Sequence, residues 1–549
     1  MKTISAMTTF VTPSSSDALR RLPFYITTPI YYVNDRPHIG HAYTTTLCDV
    51  VARFQRFRGR EVFFLTGTDE HGVKVEKSAE AAGIAPQALA DRNAAEFERV
   101  LGMLGLTNDD FIRTTQPRHV MQVQALVQRL IDSGDVYLGE YEGWYDEGQE
   151  EFVTQTRAEE ADFKSPISGK PLVRMVEKNY FFRLSNYQER LERLYAEHPG
   201  FVRPEARRNE MLGRLRDGLQ DVPVSRTTFS WGIPIPGDEA HVMWVWMDAL
   251  SNYVTAIGLA ASDDAPEAAR RKFWPADYHV VGKEILFFHA MFWPAMLMAL
   301  EIPLPKCIYA HSFWISEGRK MSKSLGNFID LEALQQMTDE FSLDALRWFM
   351  VTQGPLGATD ADFRHAKFVE VYNADLANTF GNSVNRVTNM IGKYFEGRVP
   401  EPGSYTVEEF DWKSIAASTW HEVQQAYDAF DLSTAAAKAM DLVRQVDAFI
   451  DTTRPFTMAK DPARLADVGS VLYQCAETLR IASLLLWPVL PFKVELMWHR
   501  WGMGALNPNE GELEVLINWG GDAALQPGSE LDKGEPLFPR WVDEDSPRK

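Results

Sequence analysis

The sequence predicts an α/β domain built on a parallel sheet, split by an insertion and followed by an all-helical bundle. Three observations carry that reading. A strand-like, a helix-like and a second strand-like run follow one another between residues 24 and 68. From about 117 to 223 the chain turns to Gly-, Arg- and Glu-rich pieces with short strands, after which long apolar runs return. From about 370 onward the apolar spacing is almost wholly helical.

Each element has its reason. "FYITTPIYY", 24–32, is aromatic and β-branched and reads as a buried strand. After Gly40, the residues Leu47, Val50, Val51, Phe54 and Phe57 recur at helical spacing until Gly59 stops them. "EVFFLTGT", 61–68, is the second strand, and the loop "DEHG" leads to a further helix. Strand, helix and strand make a βαβ unit, hence a parallel sheet. Ligands of such sheets gather at the carboxyl ends of the strands, where Pro29–His41 and Thr66–Gly72 fall. Beyond the insertion, "HVMWVWMDAL", "DYHVVGKEILFFH" and "CIYAHSFWI" read as further buried strands, and 372–395 and 416–450 read as helical.

Composition narrows the function classes. A chain of 549 residues has room for three or four domains. Its net charge of −20 argues against nonspecific coating of nucleic acid. Arg203, Arg207, Arg208, Arg214 and Arg216 crowd together, but alone they read as a solvated helix face. No apolar run reaches the roughly 20 residues of a membrane span. Cys48, Cys307 and Cys475 are scattered and form no disulfide framework, which suits a reducing compartment. Residues 1–22, Ser/Thr-rich, read as a loose tail, with a transit-like segment as the other reading.

Two stretches carry chemistry. In "HIGH", 38–41, Gly40 opens a helix whose free amides favour anions, with two imidazoles one turn apart beside it. With only 12 His and 35 Gly in the chain, H-x-G-H is rare by chance. "GRKMSKSLGN", 318–327, sets Lys320 and Lys323 between Gly318 and Gly326, a mobile cationic loop suited to a triphosphate whose charge grows during reaction.

On these two motifs the chain resembles the class I aminoacyl-tRNA synthetases. "TTPIYYVNDRPHIGHAY", "TGTDEHG", "VWMDALSNY", "VGKEILFFHAMFWPA" and "NADLANTFGNSVNRV" narrow the resemblance to the methionyl-tRNA synthetase family, from about residue 23 to the end. The resemblance implies a tail, 1–22; a Rossmann-like catalytic domain whose first half, 23–116, holds the HIGH motif; a connective insertion, 117–223; a second catalytic half, 224–322; the end of the KMSKS loop with a stem-contact segment, 323–370; and a helical anticodon-binding domain with a C-terminal tail, 371–549.

It also implies the chemistry: activation of methionine by ATP with Mg²⁺ to methionyl-adenylate and pyrophosphate, then transfer to tRNA(Met). By the family's pattern His38, Gly40 and His41 bind phosphates, Gly282 and Glu284 belong to the ATP site, and Lys320 and Lys323 neutralise pyrophosphate. Asp69 takes the methionine ammonium. Pro29, Ile30, Tyr32, Trp246, Ala249, Tyr253, Ile285, His289 and Trp293 form the wall. One carboxylate in an otherwise aromatic site suits a substrate with an ammonium and a polarizable, uncharged tip. Asn382, Arg386 and Phe456 match the anticodon-reading positions, Phe456 standing where the family usually has Trp.

Two departures shape further expectations. Many family members carry a Cys-x-x-Cys zinc knuckle in the insertion, but here Asp146 and Gln149 occupy that frame, so no metal site and no structural zinc are expected. An aromatic cluster of Trp144, Tyr145, Phe152, Phe163 and Tyr180–Phe182 is expected to hold the insertion instead. The chain also ends soon after the bundle, so a monomer is expected, cytoplasmic unless residues 1–22 direct it to a mitochondrion. Rival readings fare worse. A small nucleotidylyltransferase needs no helical bundle, and a nicotinamide dehydrogenase lacks its G-x-G-x-x-G. The leucine, isoleucine and valine enzymes need an editing domain for which 117–223 is too short, and the cysteine enzyme needs a zinc-bound thiolate site. A noncatalytic tRNA-binding relic has no reason to keep four phosphate donors.

Overall fold

The computed structural model describes residues 22–33, 36–146, 151–153, 155–165, 168–316, 318–321, 327–507 and 513–543. The first half of the α/β domain contains β1 (Pro23–Thr27), β2 (Tyr31–Tyr32), α1 (Ile39–Phe57), β3 (Glu61–Asp69), α2 (Val73–Ala82) and β4 (Asp110–Arg113). Helix α3 (Pro117–Asp132) leads into the long hairpin of β5 (Val136–Asp146) and β6 (Val173–Phe182), and the chain returns through β7 (Val202–Arg203). The second half adds α4 (Val245–Thr255), β8 (Tyr278–Gly282) and β9 (Ile308–His311). In the main sheet β3 pairs with β4, β2 and β1, and β1 is followed by β8, β9 and β7, all in parallel.

Several local expectations shift. The single strand expected at 24–32 is broken at Thr28–Ile30, because Pro29 has no amide hydrogen for the ladder. The stretch "HVMWVWMDAL" is only partly strand: Asp238–Met243 joins a small antiparallel sheet, and α4 starts at Val245. An unbroken apolar run does not by itself distinguish a buried strand from a buried helix. After Gly282 the chain likewise coils, through a 3₁₀ turn at Lys283–Ile285 and a π-helical turn at Phe288–Phe292. The segment 117–223 is not peripheral throughout, since β7 pairs with β9 inside the main sheet.

The hairpin holds register from Val136 opposite Phe182 to Tyr145 opposite Val173. Its aromatic residues do not form one cluster. Trp144 packs on Phe163 at 4.6 Å beside Val153, Ala158 and Leu172 at the tip. Tyr180 instead meets His241, Phe181 meets Tyr137, and Phe182 meets Phe292 at the root. Alternation along a strand sends neighbours to opposite faces, so a sequential run could not converge. Gln149 and the side chain of Phe152 lie outside the described residues.

The C-terminal half contains α5 (Leu343–Gln353), α6 (Asn382–Phe395), α7 (Trp412–Asp428), α8 (Leu432–Thr453), α9 (Leu465–Leu486) and α10 (Pro491–Arg500). The helical stretch expected at 416–450 is two helices, separated at Phe430 with φ 57°. The expected 372–395 begins as a π-helix, Tyr372–Gly381. This bundle shares one apolar core with the sheet domain; Phe54 of α1 stacks on Tyr427 of α7 at 3.7 Å. A buried ion network crosses the same boundary. Arg347 of α5 donates to Asp49 of α1 at 2.7 Å and to the carbonyls of Pro488 and Val489 at 3.0 and 3.1 Å. Burial pushes the Asp49 carboxyl upward, but the guanidinium groups of Arg347 and Arg53 outweigh it and hold the pKa at about 2. Among the described residues no helix is long and apolar enough to cross a membrane.

Candidate active site

A cavity of about 480 Å³ opens at the carboxyl edge of the main sheet. Pro29 just beyond β1, Asp69 at the end of β3, Gly282 at the end of β8 and His311 at the end of β9 all line it. Strand order reverses around β1, and that is where open parallel sheets bind ligands.

One side is the start of α1. His38 is its N-cap, and its Nδ1 accepts the amide hydrogen of Gly40 at 3.0 Å. His41 returns the favour: its Nδ1 accepts the amide hydrogen of His38 at 3.1 Å. With Nδ1 an acceptor, each neutral ring carries its proton on Nε2. Burial, with the neighbouring His38, pushes the His41 pKa well below the ordinary imidazole value. Gly40 is needed for space, since a Cβ there would lie 2.8 Å from Cε1 of His38. The His38 ring takes up part of the room the missing side chain leaves.

The second phosphate motif comes to the first although about 280 residues separate them in the chain. The amide of Ile39 donates to the carbonyl of Ile329 at 3.3 Å, and Phe328 stands edge-on to His38 at 5.2 Å. Lys320 pairs through its backbone with Ile315 in a short antiparallel ladder. Its side chain, and Lys323 with the loop 322–326, lie outside the described residues.

The other side is aromatic. Asp69 is 8% exposed beside Tyr32, with Pro29 and Ile30 completing that corner. Trp246 stacks on Phe288 at 4.1 Å, next to Ala249. His289 Nδ1 donates to the Ile285 carbonyl at 2.9 Å, so Nε2 accepts the Tyr253 hydroxyl at 2.7 Å. Burial holds the His289 pKa at about 4. Glu284 also lines the cavity, and Gly282 makes room for it, as a Cβ there would meet Glu284 Oε2 at 2.5 Å.

Of the expected wall residues Trp293 alone does not line the cavity, although its ring packs against Tyr253 at 5.9 Å. It is fully buried behind the wall, donating through Nε1 to His279 at 3.3 Å. Sequence reasoning missed Thr44, Lys74, Asn252, His311 and Phe313, all of which line the cavity. His311 was within reach: it ends a buried parallel strand, the position the sheet rule singles out. It donates from Nδ1 to the Ser312 carbonyl at 2.8 Å, meets the Thr44 hydroxyl at 2.7 Å through Nε2, and is held at a pKa of about 4 by burial.

Away from the cavity, Asn382 is exposed at the start of α6, with Arg386 one turn on. Arg386 is tied to Asp451 at 3.0 Å and Asp447 at 3.7 Å. Phe456 is 46% exposed.

Residues 24–161 and 156–388 match the family profile described as tRNA synthetases class I (M), and 414–526 match that of the anticodon-binding domain of tRNA ligases. The methionine–tRNA ligase of Bacillus subtilis is 43% identical over 533 residues, covering 94% of this chain and 78% of its own. That of Brucella suis is 41% identical over 534 residues, covering 96% of this chain and 99% of its own. A solved structure, Mycobacterium tuberculosis methionyl-tRNA synthetase in complex with methionyl-adenylate, has a TM-score of 0.86 at 36% identity and covers 94% of this chain and 100% of that one.

Proposed function

The chain belongs to the class I tRNA synthetases of the methionine type, and on that footing we propose that it ligates methionine to tRNA(Met) in two steps. First, the methionine carboxylate attacks the α-phosphorus of ATP·Mg²⁺ and pyrophosphate leaves. Then the 2′-hydroxyl of the terminal ribose of the tRNA attacks the adenylate carbonyl, and AMP leaves. Neither step needs a nucleophile from the enzyme; positioning and charge stabilisation supply the rate. The observation that carries the reading is one cavity lined by both the capping histidines of α1 and the Asp69 carboxylate.

The residues then take these roles. His38 and His41 donate Nε2–H to phosphate oxygens, Gly282 and Glu284 hold the ribose, and Lys320 and Lys323 neutralise the departing pyrophosphate. Asp69 takes the ammonium. Pro29, Ile30, Tyr32, Trp246, Ala249, Tyr253, Ile285 and His289 face the side chain. Because Tyr253 and His289 satisfy each other, the wall offers an uncharged polarizable surface to the thioether. One methylene is worth only about 1–3 kcal/mol of discrimination, so shape must reject leucine. Asn382, Arg386 and Phe456 read and stack the anticodon bases.

The insertion is held by Trp144 and its neighbours without zinc. The enzyme works as one chain, since a single chain carries the cavity and the bundle together. It resides in the cytoplasm, where its three buried thiols stay reduced. Amino-acid-dependent ATP–pyrophosphate exchange tests the core of the proposal: methionine alone drives strong exchange, and equal exchange with leucine refutes it.

A further inference from the structure

Behind the cavity wall lies a buried cluster with no part in the steps above. Asp248 is 1% exposed, and two imidazoles divide its oxygens. Nδ1 of His71 stands 2.6 Å from Oδ2, and Nε2 of His119 stands 2.7 Å from Oδ1. Nδ1 of His119 meets the Thr255 hydroxyl at 2.7 Å. Burial pushes the Asp248 carboxyl upward, yet the charge and hydrogen bonds of His71 and His119 prevail and hold it at about 2. An ionised carboxylate only accepts, so both facing nitrogens are N–H donors.

The three residues come from three elements. His71 follows Asp69 by two positions in the loop from β3 to α2. Asp248 lies on α4 between Trp246 and Ala249, five residues before Tyr253. His119 lies on α3. None of the three lines the cavity. The His71–Asp248 bond therefore joins the loop that directly follows Asp69 to the helix that presents the aromatic wall. Trp231 clamps the same loop from outside, its Nε1 donating to the Glu70 carbonyl at 2.6 Å and its own carbonyl accepting from Gly72 at 3.0 Å.

We propose that Asp248, acting through His71, is a positioning residue for amino-acid recognition: it sets the separation between the Asp69 carboxylate and the Trp246–Tyr253 wall. The inference rests on the reading that methionine occupies the cavity, because that substrate must be met at its ammonium and its thioether at once. A bound group displaced by about 1 Å loses much of its orientation advantage. His119 holds the other oxygen of the same carboxylate but does not connect the loop to the helix.

The test is pyrophosphate exchange by the full chain with methionine and ATP varied separately. His71→Ala is expected to raise the methionine KM about tenfold or more and to leave the ATP KM within about twofold. His71→Asn, whose amide can donate near the Nδ1 position, recovers most of the loss. His71→Phe keeps the ring volume without the N–H and gives the same readout if the alanine variant does not fold. His119→Ala removes an equally buried bond, lowers the melting temperature and moves the methionine KM much less than His71→Ala. The proposal is overturned if His71→Ala and His119→Ala shift the methionine KM alike, or if the methionine KM of the His71 variants stays in place. Absence of methionine-dependent exchange in the wild-type chain would overturn the functional reading itself, whereas an active wild type beside unshifted His71 variants overturns the positioning role alone.

Discussion

The amide hydrogen of His38 is accepted by Nδ1 of His41 at 3.1 Å, while Nδ1 of His38 accepts from Gly40. The two rings therefore cap the helix and line the cavity with the same side chains. Gly40→Ala puts a methyl 2.8 Å from the His38 ring, which must swing away. We expect the ATP kcat/KM to fall by about 100-fold, the scale of a reacting group misplaced by about 1 Å, with the loss of the His38 cap lowering stability by only about 1 kcal/mol. Unaltered ATP kinetics would show that the ring pair is not at the phosphates.

Burial lowers the pKa of four histidines. His289 and His311 are held at about 4, and His41 and His279 lie well below the ordinary value. A base depressed in the folded state binds fewer protons folded than unfolded, so its stability contribution is intact above about pH 6.5 and is lost as pH falls below it. Four such groups cost up to about 5 kcal/mol per pH unit together, at 1.36 kcal/mol each. Urea unfolding at pH 7.5 and 5.5 should show a drop of several kcal/mol, which a flat profile would contradict.

Asp49 lies on the acid side of the same argument. Its depressed pKa contributes stability above about pH 4 that disappears as pH falls toward 2. Asp49→Ala leaves Arg347, 0% exposed, and Arg53 buried without their shared carboxylate. Breaking a buried pair in this way costs about 3–5 kcal/mol. Chemical denaturation measures it, and a loss below about 1 kcal/mol would mean that water reaches the network.

Arg386 is already engaged by Asp451 and Asp447, so an anticodon must exchange those partners for its own. Arg386→Ala should lower tRNA charging by about 1–3 kcal/mol in kcat/KM, the usual worth of an arginine–base contact. Pyrophosphate exchange without tRNA should stay within about twofold. A parallel loss of both activities would mark Arg386 as a folding residue.

For the insertion, elemental analysis of the purified chain should find no stoichiometric zinc, and chelation followed by Mg²⁺ should leave charging intact. Trp144→Ala removes the ring that packs on Phe163 and donates to Gln155 at 2.8 Å. Hydrogen exchange across the hairpin should quicken in that variant more than in Asp146→Ala. One tightly bound zinc per chain would reverse the assignment.

The sheet, its polarity and the strand ends that border the cavity were legible because they follow from period and position, whereas the individual cavity residues rested on the family resemblance. A βαβ pattern fixes which strand ends face the ligand, and Asp69, His38 and His41 all fall there. What escaped notice involves changes of helical pitch or contacts between distant segments. The π-helical turn at Phe288–Phe292, just before Trp293, has no sequence signal as plain as proline. The α4 helix occupies a stretch, "MWVWMDAL", that is apolar at either period and so predicts strand as readily as helix. Asp248 was invisible for another reason: its two partners lie 177 and 129 residues away.

The Arg347 clamp ties the bundle to the helix that carries the two histidines. Asp49 is eleven residues beyond His38, about 16 Å along the axis at 1.5 Å per residue. Because that carboxylate also meets Arg53 and the helix shares the bundle's core, the seating of the bundle and the seating of the histidine helix are a single packing problem.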